Sequence, residues 1–434
     1  MSALDIGVLS LALMVVFILA GLHVAISLLV LSFVGVWWMR GDMDVALSLM
    51  AQATNDSIAS HEFGVVPLFV LMGLLVSTAD IGKDIFEVAN LFFRRIKGGL
   101  GVATVFANAV FAAITGISIA SAAVFTKVAV PEMLRYGFTA RFATGVVAGS
   151  SVLGMLIPPS LLMILYAFLA EESVGAMFLA GIVPGIVLAI AFSVAIVVMA
   201  RFFPAYVGGG AALDAPSMSV VAGLAKVAPV VFLIVLVLGG MYGGFFTATD
   251  AGAVGAAGAL LLTVARRRLT WRSFWQVLVE TGRITVSVLF LIIAANLYSR
   301  MLTLSGLPQG IVEWMAALGF GTAGFLTVFI AIVLFLGCII DSASIMLIVL
   351  PLMLPVARTL GLDMVWFGVI TVVAVEIGLL TPPFGISVYV VKSTLNDARV
   401  TLWDIFAGTQ PFTAIMFLVL LLLIAFPGLA LFFK

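Results

Sequence analysis

The chain has 434 residues, 64% of them hydrophobic and only 9% charged, with no net charge at neutral pH. A soluble domain carries about 45–50% apolar and about 25% charged residues, so the excess here must face lipid, and the chain is a polytopic membrane protein. Its apolar runs are continuous rather than alternating, which excludes a barrel and leaves an all-α fold.

About 20 apolar residues make one span. The first half offers spans at 4–20 and 22–39, a more polar stretch at 42–61 and a span at 63–79. No Lys or Arg precedes Arg40, so the first run reads as a membrane helix and not a secretory signal. An amphipathic segment follows at 81–97. Apolar segments 98–116 and 119–134 then meet at a small-residue tip, a helical hairpin over 98–134. A span at 138–170 is interrupted at Pro158-Pro159, and 175–203 closes the half. Residues 204–219 read as a cytoplasmic linker. The second half runs through 222–240, 246–264, a basic amphipathic piece at 266–283, 285–303 and an amphipathic 306–320. A second hairpin over 322–360 turns at Asp341-Ser342. A span at 363–391 is interrupted at Pro382-Pro383, and 400–426 is the last.

The halves repeat. Gly154 and Gly378, Pro158 and Pro382, Pro131 and Pro355, Gly137 and Gly361, and Ser118 and Ser342 are each 224 residues apart. Past the breaks the offset slips to 227, where Pro184 matches Pro411. This divides the chain into repeats 1–203 and 220–434. Each repeat has an odd number of spans, so the second enters the membrane upside down, as in transporters with inverted-topology repeats. Fifteen Lys and Arg residues fall on one side of the spans and four on the other, Lys127 being left inside the first hairpin. The crowded side is cytoplasmic, so both termini are expected to be periplasmic.

The interrupted spans are the places for chemistry. Two prolines remove N–H groups and block the preceding turn. The freed carbonyls suit a cation, and the half-helix beginning after each break points its positive end at an anion. A plain proline kink would line nothing. Two breaks at one offset, each beside a hairpin, favour a site. The hairpin tips, Thr115-Gly-Ile-Ser118 and Asp341-Ser-Ala-Ser344, add small hydroxyls suited to a hard cation or an anionic cargo. Asp341 is an acid near the midplane, where charge is costly. Glu376 reads as a hydrogen-bonding group at the second break, or as a proton carrier. Thr249-Asp250 reads as a helix cap, and Lys127 as a side chain snorkelling to the cytoplasmic face. One cysteine, Cys338, and two histidines leave no thiolate or imidazole metal site. No GxxxxGK[ST] loop is present, so the chain itself hydrolyses no ATP. Nothing in the charge points to nucleic acid.

These features resemble the large membrane subunit of tripartite ATP-independent periplasmic (TRAP) transporters. The resemblance runs from about Val66 to Pro411, through Pro67-Leu-Phe-Val-Leu-Met-Gly73, Ile157-Pro-Pro-Ser160, Phe178-Leu-Ala-Gly-Ile-Val-Pro184, Gly243-Gly-Phe-Phe-Thr-Ala-Thr-Asp250, Gly337-Cys-Ile-Ile-Asp341 and Glu376-Ile-Gly-Leu-Leu-Thr-Pro-Pro-Phe-Gly385. It implies a Na⁺-driven, elevator-type importer of small organic acids in the inner membrane of a bacterial or archaeal cell. It also implies two partners, a small four-helix membrane subunit on a separate chain and a periplasmic substrate-binding protein. The implied Na⁺ sites map to Ser118, Ser150, Ser151, Gly154, Pro158, Asp341, Ser342, Gly378, Thr381 and Pro382. The cargo candidates are Thr115, Gly116, Ser121, Ser344 and Gly385. The implied moving core is 98–170 plus 322–391, with the remainder a lipid-facing frame. The first tip departs from the family's usual Ser-Gly-Ser-Ser, with Ile117 in place of one hydroxyl. A stand-alone divalent-anion/sodium symporter is the alternative within transport. A membrane enzyme is disfavoured because no nucleophile–base pair or His-Glu-x-x-His occurs.

Overall fold

The computed structural model describes residues 1–59, 61–209, 219–317 and 319–433. Among them there is no β-strand, only an isolated antiparallel bridge between Phe138 and Gly208. Six helices are long and apolar enough to cross a membrane, or eight if each bent pair is one span.

Helices α1 (Ala3–Leu19), α2 (Val24–Arg40) and α3 (Met43–Ala59) lead into α4 (Val65–Thr78) and α5 (Ile81–Phe93). Between α4 and α5 the chain bends by 67°, with Asp80 in the left-handed region at φ +56°. Helix α5 is amphipathic: Ile81, Ile85, Phe86 and Ala89 are buried while Lys83 is exposed. The arms α6 (Gly99–Thr115) and α7 (Ser118–Arg135) pack against each other as a hairpin. Helix α8 (Ala140–Ser151) and the turn α9 (Leu153–Leu156) reach the Pro158-Pro159 break, and α10 (Leu161–Ala170) leaves it at 41°. Then come α11 (Val174–Phe202) and the short α12 (Pro204–Val207). Of the linker expected at 204–219, residues 210–218 lie outside the described residues, as does Lys434.

The second half runs through α13 (Val220–Tyr242), α14 (Ala248–Ala265), α15 (Trp271–Ser305) and α16 (Leu307–Ala317). The hairpin arms α17 (Thr322–Gly337) and α18 (Ser342–Thr359) follow. Helix α19 (Met364–Gly378) ends before Pro382-Pro383, and α20 (Ile386–Leu395) and α21 (Leu402–Ala425) complete the chain. Helices α7 and α18 each have 18 residues, and α10 and α20 each have 10.

Two sequence expectations change. The pieces expected at 266–283 and 285–303 are one helix, α15, of 35 residues. No proline interrupts them, and Gly282 meets no neighbour that would bend it. The cap of α14 is Thr247 rather than Thr249. Its hydroxyl accepts from the Asp250 N–H (3.2 Å), and the Asp250 carboxylate accepts from the Thr247 N–H (3.1 Å), closing a capping box.

In lipid, helices gain little from burying apolar surface against one another, so close packing carries more weight. Backbones touch where α8 meets α21: a methyl group at Gly145 would lie 2.2 Å from the Gly408 carbonyl oxygen. Each half-helix after a break lies on the second hairpin arm of the other repeat, α20 on α7 and α10 on α18. That exchange brings the two hairpin tips to one centre.

Candidate functional site

The first tip is shaped by Gly116, whose φ of +62° ends α6 and lets α7 start two residues later at Ser118. At the second tip Asp341 caps α18. Its Oδ1 accepts from the N–H groups of Ala343 and Ser344 (both 3.1 Å), and its Oδ2 accepts from the Ser344 hydroxyl (2.5 Å). An anionic cap also suits the positive end of α18. The carboxylate is therefore engaged at the tip itself, and Asp341 is exposed.

The breaks are tied to these tips. The Leu161 N–H donates to the Gly116 carbonyl, and the Phe384 N–H donates to the Cys338 carbonyl, each at 3.2 Å. The Pro158-Pro159 and Pro382-Pro383 peptides are both cis. After the first break, Ser160 caps α10, accepting from the Met163 N–H (3.2 Å) and donating to the Met155 carbonyl (2.5 Å). After the second, Gly385 starts α20 at φ +49° with no side-chain cap.

The glycines before the breaks are required by approach. A methyl group at Gly378 would sit 2.6 Å from the Gly337 Cα, and one at Gly154 would sit 3.0 Å from the Ser118 nitrogen. A methyl at Gly116 would meet the Pro159 carbonyl oxygen at 2.4 Å.

Several candidate hydroxyls are occupied by their own helices. Ser150 donates to the Val146 carbonyl (2.7 Å), Ser151 to Ala148 (2.8 Å), Thr115 to Phe111 (3.0 Å) and Thr381 to Ile377 (2.8 Å). Their oxygens still have lone pairs to offer a cation. Others have no hydrogen-bond partner among the described residues: Ser118, Ser121 and Ser387, one oxygen of Asn108 and both oxygens of Glu376, all buried. Buried polar atoms are usually paired, and of these Ser118 and Glu376 lie within reach of one another.

Sequence reasoning left Asn108 out of the site and placed Glu376 at the second break without its neighbours. Asn108 donates to Ser150 (2.6 Å), joining α6 to α8 beside the first break, and a lone amide in an apolar hairpin arm was the available signal. Glu376 is buried at the end of α19, within reach of the Ser118 and Ser342 hydroxyls. The hydroxyls of Ser118 and Ser342 face it, one from each tip.

The tips differ in access. Thr115, Gly116, Ser118, Pro158 and Ser160 are buried, while Asp341, Pro383 and Phe384 are exposed. A crevice of about 10 Å³ lies at the first tip, room for one water. A cavity of about 810 Å³ lies elsewhere, between α5, α7 and α13. Lys83, Arg94, Lys127, Arg135 and Lys226 line it with Glu87 and Glu132. Lys127, expected to snorkel towards the cytoplasmic face, is exposed and lines this basic cleft.

Residues 11–429 match the family described as the DctM component of tripartite ATP-independent periplasmic transporters. The chain is 36% identical over 334 residues to the C4-dicarboxylate TRAP transporter large permease protein DctM of Pseudomonas aeruginosa, covering 76% of each chain. It is 30% identical to the sialic acid permease SiaM of Vibrio cholerae, covering 94% of this chain and 93% of that one. It is also 30% identical to the ectoine permease TeaC of Halomonas elongata, covering 98% and 97%. The crystal structure of the Alcanivorax borkumensis YdaH transporter superposes with a TM-score of 0.64 at 14% identity, covering 89% of this chain and 90% of that one, a likeness of fold. These relatives are named as permeases and not enzymes. The chain is thus a multi-pass membrane protein that belongs to the DctM, large-permease family of tripartite ATP-independent periplasmic transporters.

Proposed function

We propose that this permease imports a small carboxylate, driven by Na⁺, after a periplasmic binding protein delivers it and with a small four-helix membrane subunit as its partner. The observation that carries the reading is the convergence of two hairpin tips and two broken helices on one centre, where Ser118, Ser342 and Glu376 are buried together. Carbonyls and hydroxyls at the breaks and tips, with Ser118, Gly154, Ser342 and Gly378 at their heart, suit a hard cation. The half-helices α10 and α20 direct their positive ends towards an anion. The basic cleft beside α7 supplies a favourable field for a carboxylate on the side rich in Lys and Arg. The repeats are inverted, the termini are periplasmic, and the membrane is the inner membrane of the cell.

Transport follows from a core sliding within a frame. The core is 98–170 and 322–391. Packing supports adding α11 and α21, since α21 lies along α8, α19 and α20, and α11 along α6, α10 and α19. Relatives named for C4-dicarboxylates, sialic acid and ectoine point to a cargo chosen largely outside the shared permease frame. The test is reconstitution of the three components in liposomes. Uptake is expected with an inward Na⁺ gradient and without ATP. Undiminished uptake when K⁺ replaces Na⁺ overturns the coupling, and uptake without the binding protein favours a stand-alone symporter.

A further inference from the structure

The cleft of about 810 Å³ between α5, α7 and α13 is lined by five Lys and Arg side chains against Glu87 and Glu132. Their surroundings differ. Lys226 is held by Glu87 (2.8 Å) and Asp84 (3.6 Å), while Lys83 and Arg135 lie 3.9 Å from Glu87 and Glu132. Arg94 and Lys127 make no side-chain hydrogen bond or ion pair among the described residues. Arg94 and Arg135 stand at the C-terminal ends of α5 and α7, where a cation is favoured whatever lies nearby. Lys127 is eight residues short of the end of α7 and has no such reason to be basic.

Its depth is informative. Lys127 lies nine residues beyond Ser118, so about 13 Å along α7 from the first tip. Half the hydrocarbon thickness is about 15 Å, so a tip near the midplane puts Lys127 close to the level of lipid phosphates. The cleft is also lined by the apolar Phe86, Leu91 and Val128. Phe92, next to Leu91, and Leu224, two residues from Lys226, are exposed as lipid-facing side chains are. Charge and hydrocarbon meet in one groove, which suits an amphiphile.

This charge has no counterpart in the second repeat. The position 224 residues after Lys127 is Pro351, and α16, which corresponds to α5, contains no Lys or Arg. Arg358 of α18 is already engaged by the Ala170 carbonyl and Glu171. A carboxylate cargo leaves water on one side and re-enters it on the other, and gains from basic groups on both. A lipid stays in its leaflet and needs one site. Basic pockets between membrane helices on the cytoplasmic side suit anionic headgroups.

We propose that this cleft seats an anionic phospholipid of the Lys- and Arg-rich leaflet, its phosphate between Lys127 and Arg94 and its acyl chains leaving over the apolar lining. The inference goes beyond the transport reading and needs neither its cation nor its cargo. Lys127 belongs to the proposed core and Arg94 to the frame, so one bound lipid bridges the two bodies.

The test is thermal unfolding of the purified, delipidated permease titrated with phosphatidylglycerol, phosphatidylcholine, inorganic phosphate or succinate. The wild type is expected to show a saturable rise in Tm with phosphatidylglycerol and no such rise with phosphatidylcholine. Lys127→Gln and Arg94→Gln should each raise the phosphatidylglycerol midpoint roughly fivefold. Arg272→Gln, at a position also exposed but outside the cleft, should leave it unchanged. If Lys127→Gln does not fold, Arg94→Gln decides. A wild type that phosphatidylglycerol does not stabilise overturns the proposal. So does a midpoint that ignores the cleft variants or moves as far with Arg272→Gln, since the attraction is then a diffuse field. An equal rise with phosphatidylcholine, or one with inorganic phosphate that Lys127→Gln abolishes, overturns it as well. A rise with succinate that Lys127→Gln weakens, while the phosphatidylglycerol midpoint stays put, assigns the cleft to the cargo path instead. None of these outcomes touches the Na⁺-coupled reading, which liposome uptake tests.

Discussion

At Gly378 the α19 backbone lies against Gly337 of the hairpin, and the hypothetical methyl contact of 2.6 Å runs to a backbone atom that cannot swing aside. Gly378→Val is therefore expected to abolish uptake while the protein still reaches the membrane, measured as transport at matched expression. Asp341 offers a finer experiment. Its hydrogen bonds are those of an N-cap, so Asp341→Ala should lose about 1 kcal/mol of helix stability and abolish uptake. Asp341→Asn keeps a capping oxygen and should retain more transport than Ala. Wild-type uptake by Asp341→Ala sinks the role given to this tip. The glycines and prolines of the breaks could be read from sequence because a proline pair leaves an unmistakable local mark, twice, at one offset. Glu376 could be placed at the second break in the same way, but not beside Ser118, which is 258 residues away in the chain and meets it only through packing.

Helices show the same division between local and distant causes. Most starts and stops were readable, since α7 and α18 open on small hydroxyl residues and α10 and α20 follow proline pairs. The continuity of α15 was not, because a change from basic amphipathic to apolar character resembles a boundary though nothing there breaks a helix. Gly282 lies inside α15 with no neighbour within 4 Å of an added methyl group. Gly282→Ala should stabilise the protein by roughly 0.8–1 kcal/mol through helix propensity, read as a rise in Tm with unchanged uptake. Helix α5 is held differently. Asp84 pairs with Arg266 just past the end of α14 and with Lys226 of α13 (3.6 Å), while Lys226 also meets Glu87 (2.8 Å). Asp84→Asn should loosen α5 from both helices at a cost of up to about 1 kcal/mol, with the difference from wild type shrinking as salt rises.

For the molecule as a unit, the question is which segments travel together. Phe63 stacks on Phe168 of α10 with ring centroids 4.9 Å apart, and Phe69 of α4 meets Phe178 of α11 at 5.7 Å. With Cys338 first replaced by serine, a disulfide joining cysteines at 63 and 168 should stop uptake, and reduction should restore it. A disulfide joining cysteines at 69 and 178 should do the same if α11 belongs to the core. Uptake that survives this second link returns α11 to the frame, and uptake that survives both removes the sliding core altogether. The paired bonds at the tips bear on the same choice. The Leu161 N–H reaches Gly116, and the Phe384 N–H reaches Cys338, so each tip is fastened to the half-helix beneath it. A tip that swung open like a door would sever its fastening, and at the first tip it would take the Gly116 carbonyl from its partner in a buried setting. A displacement of tip and half-helix as one rigid body breaks neither bond. The two fastenings thus set a cost on hinged opening that the proposed carriage of tip and half-helix together does not meet.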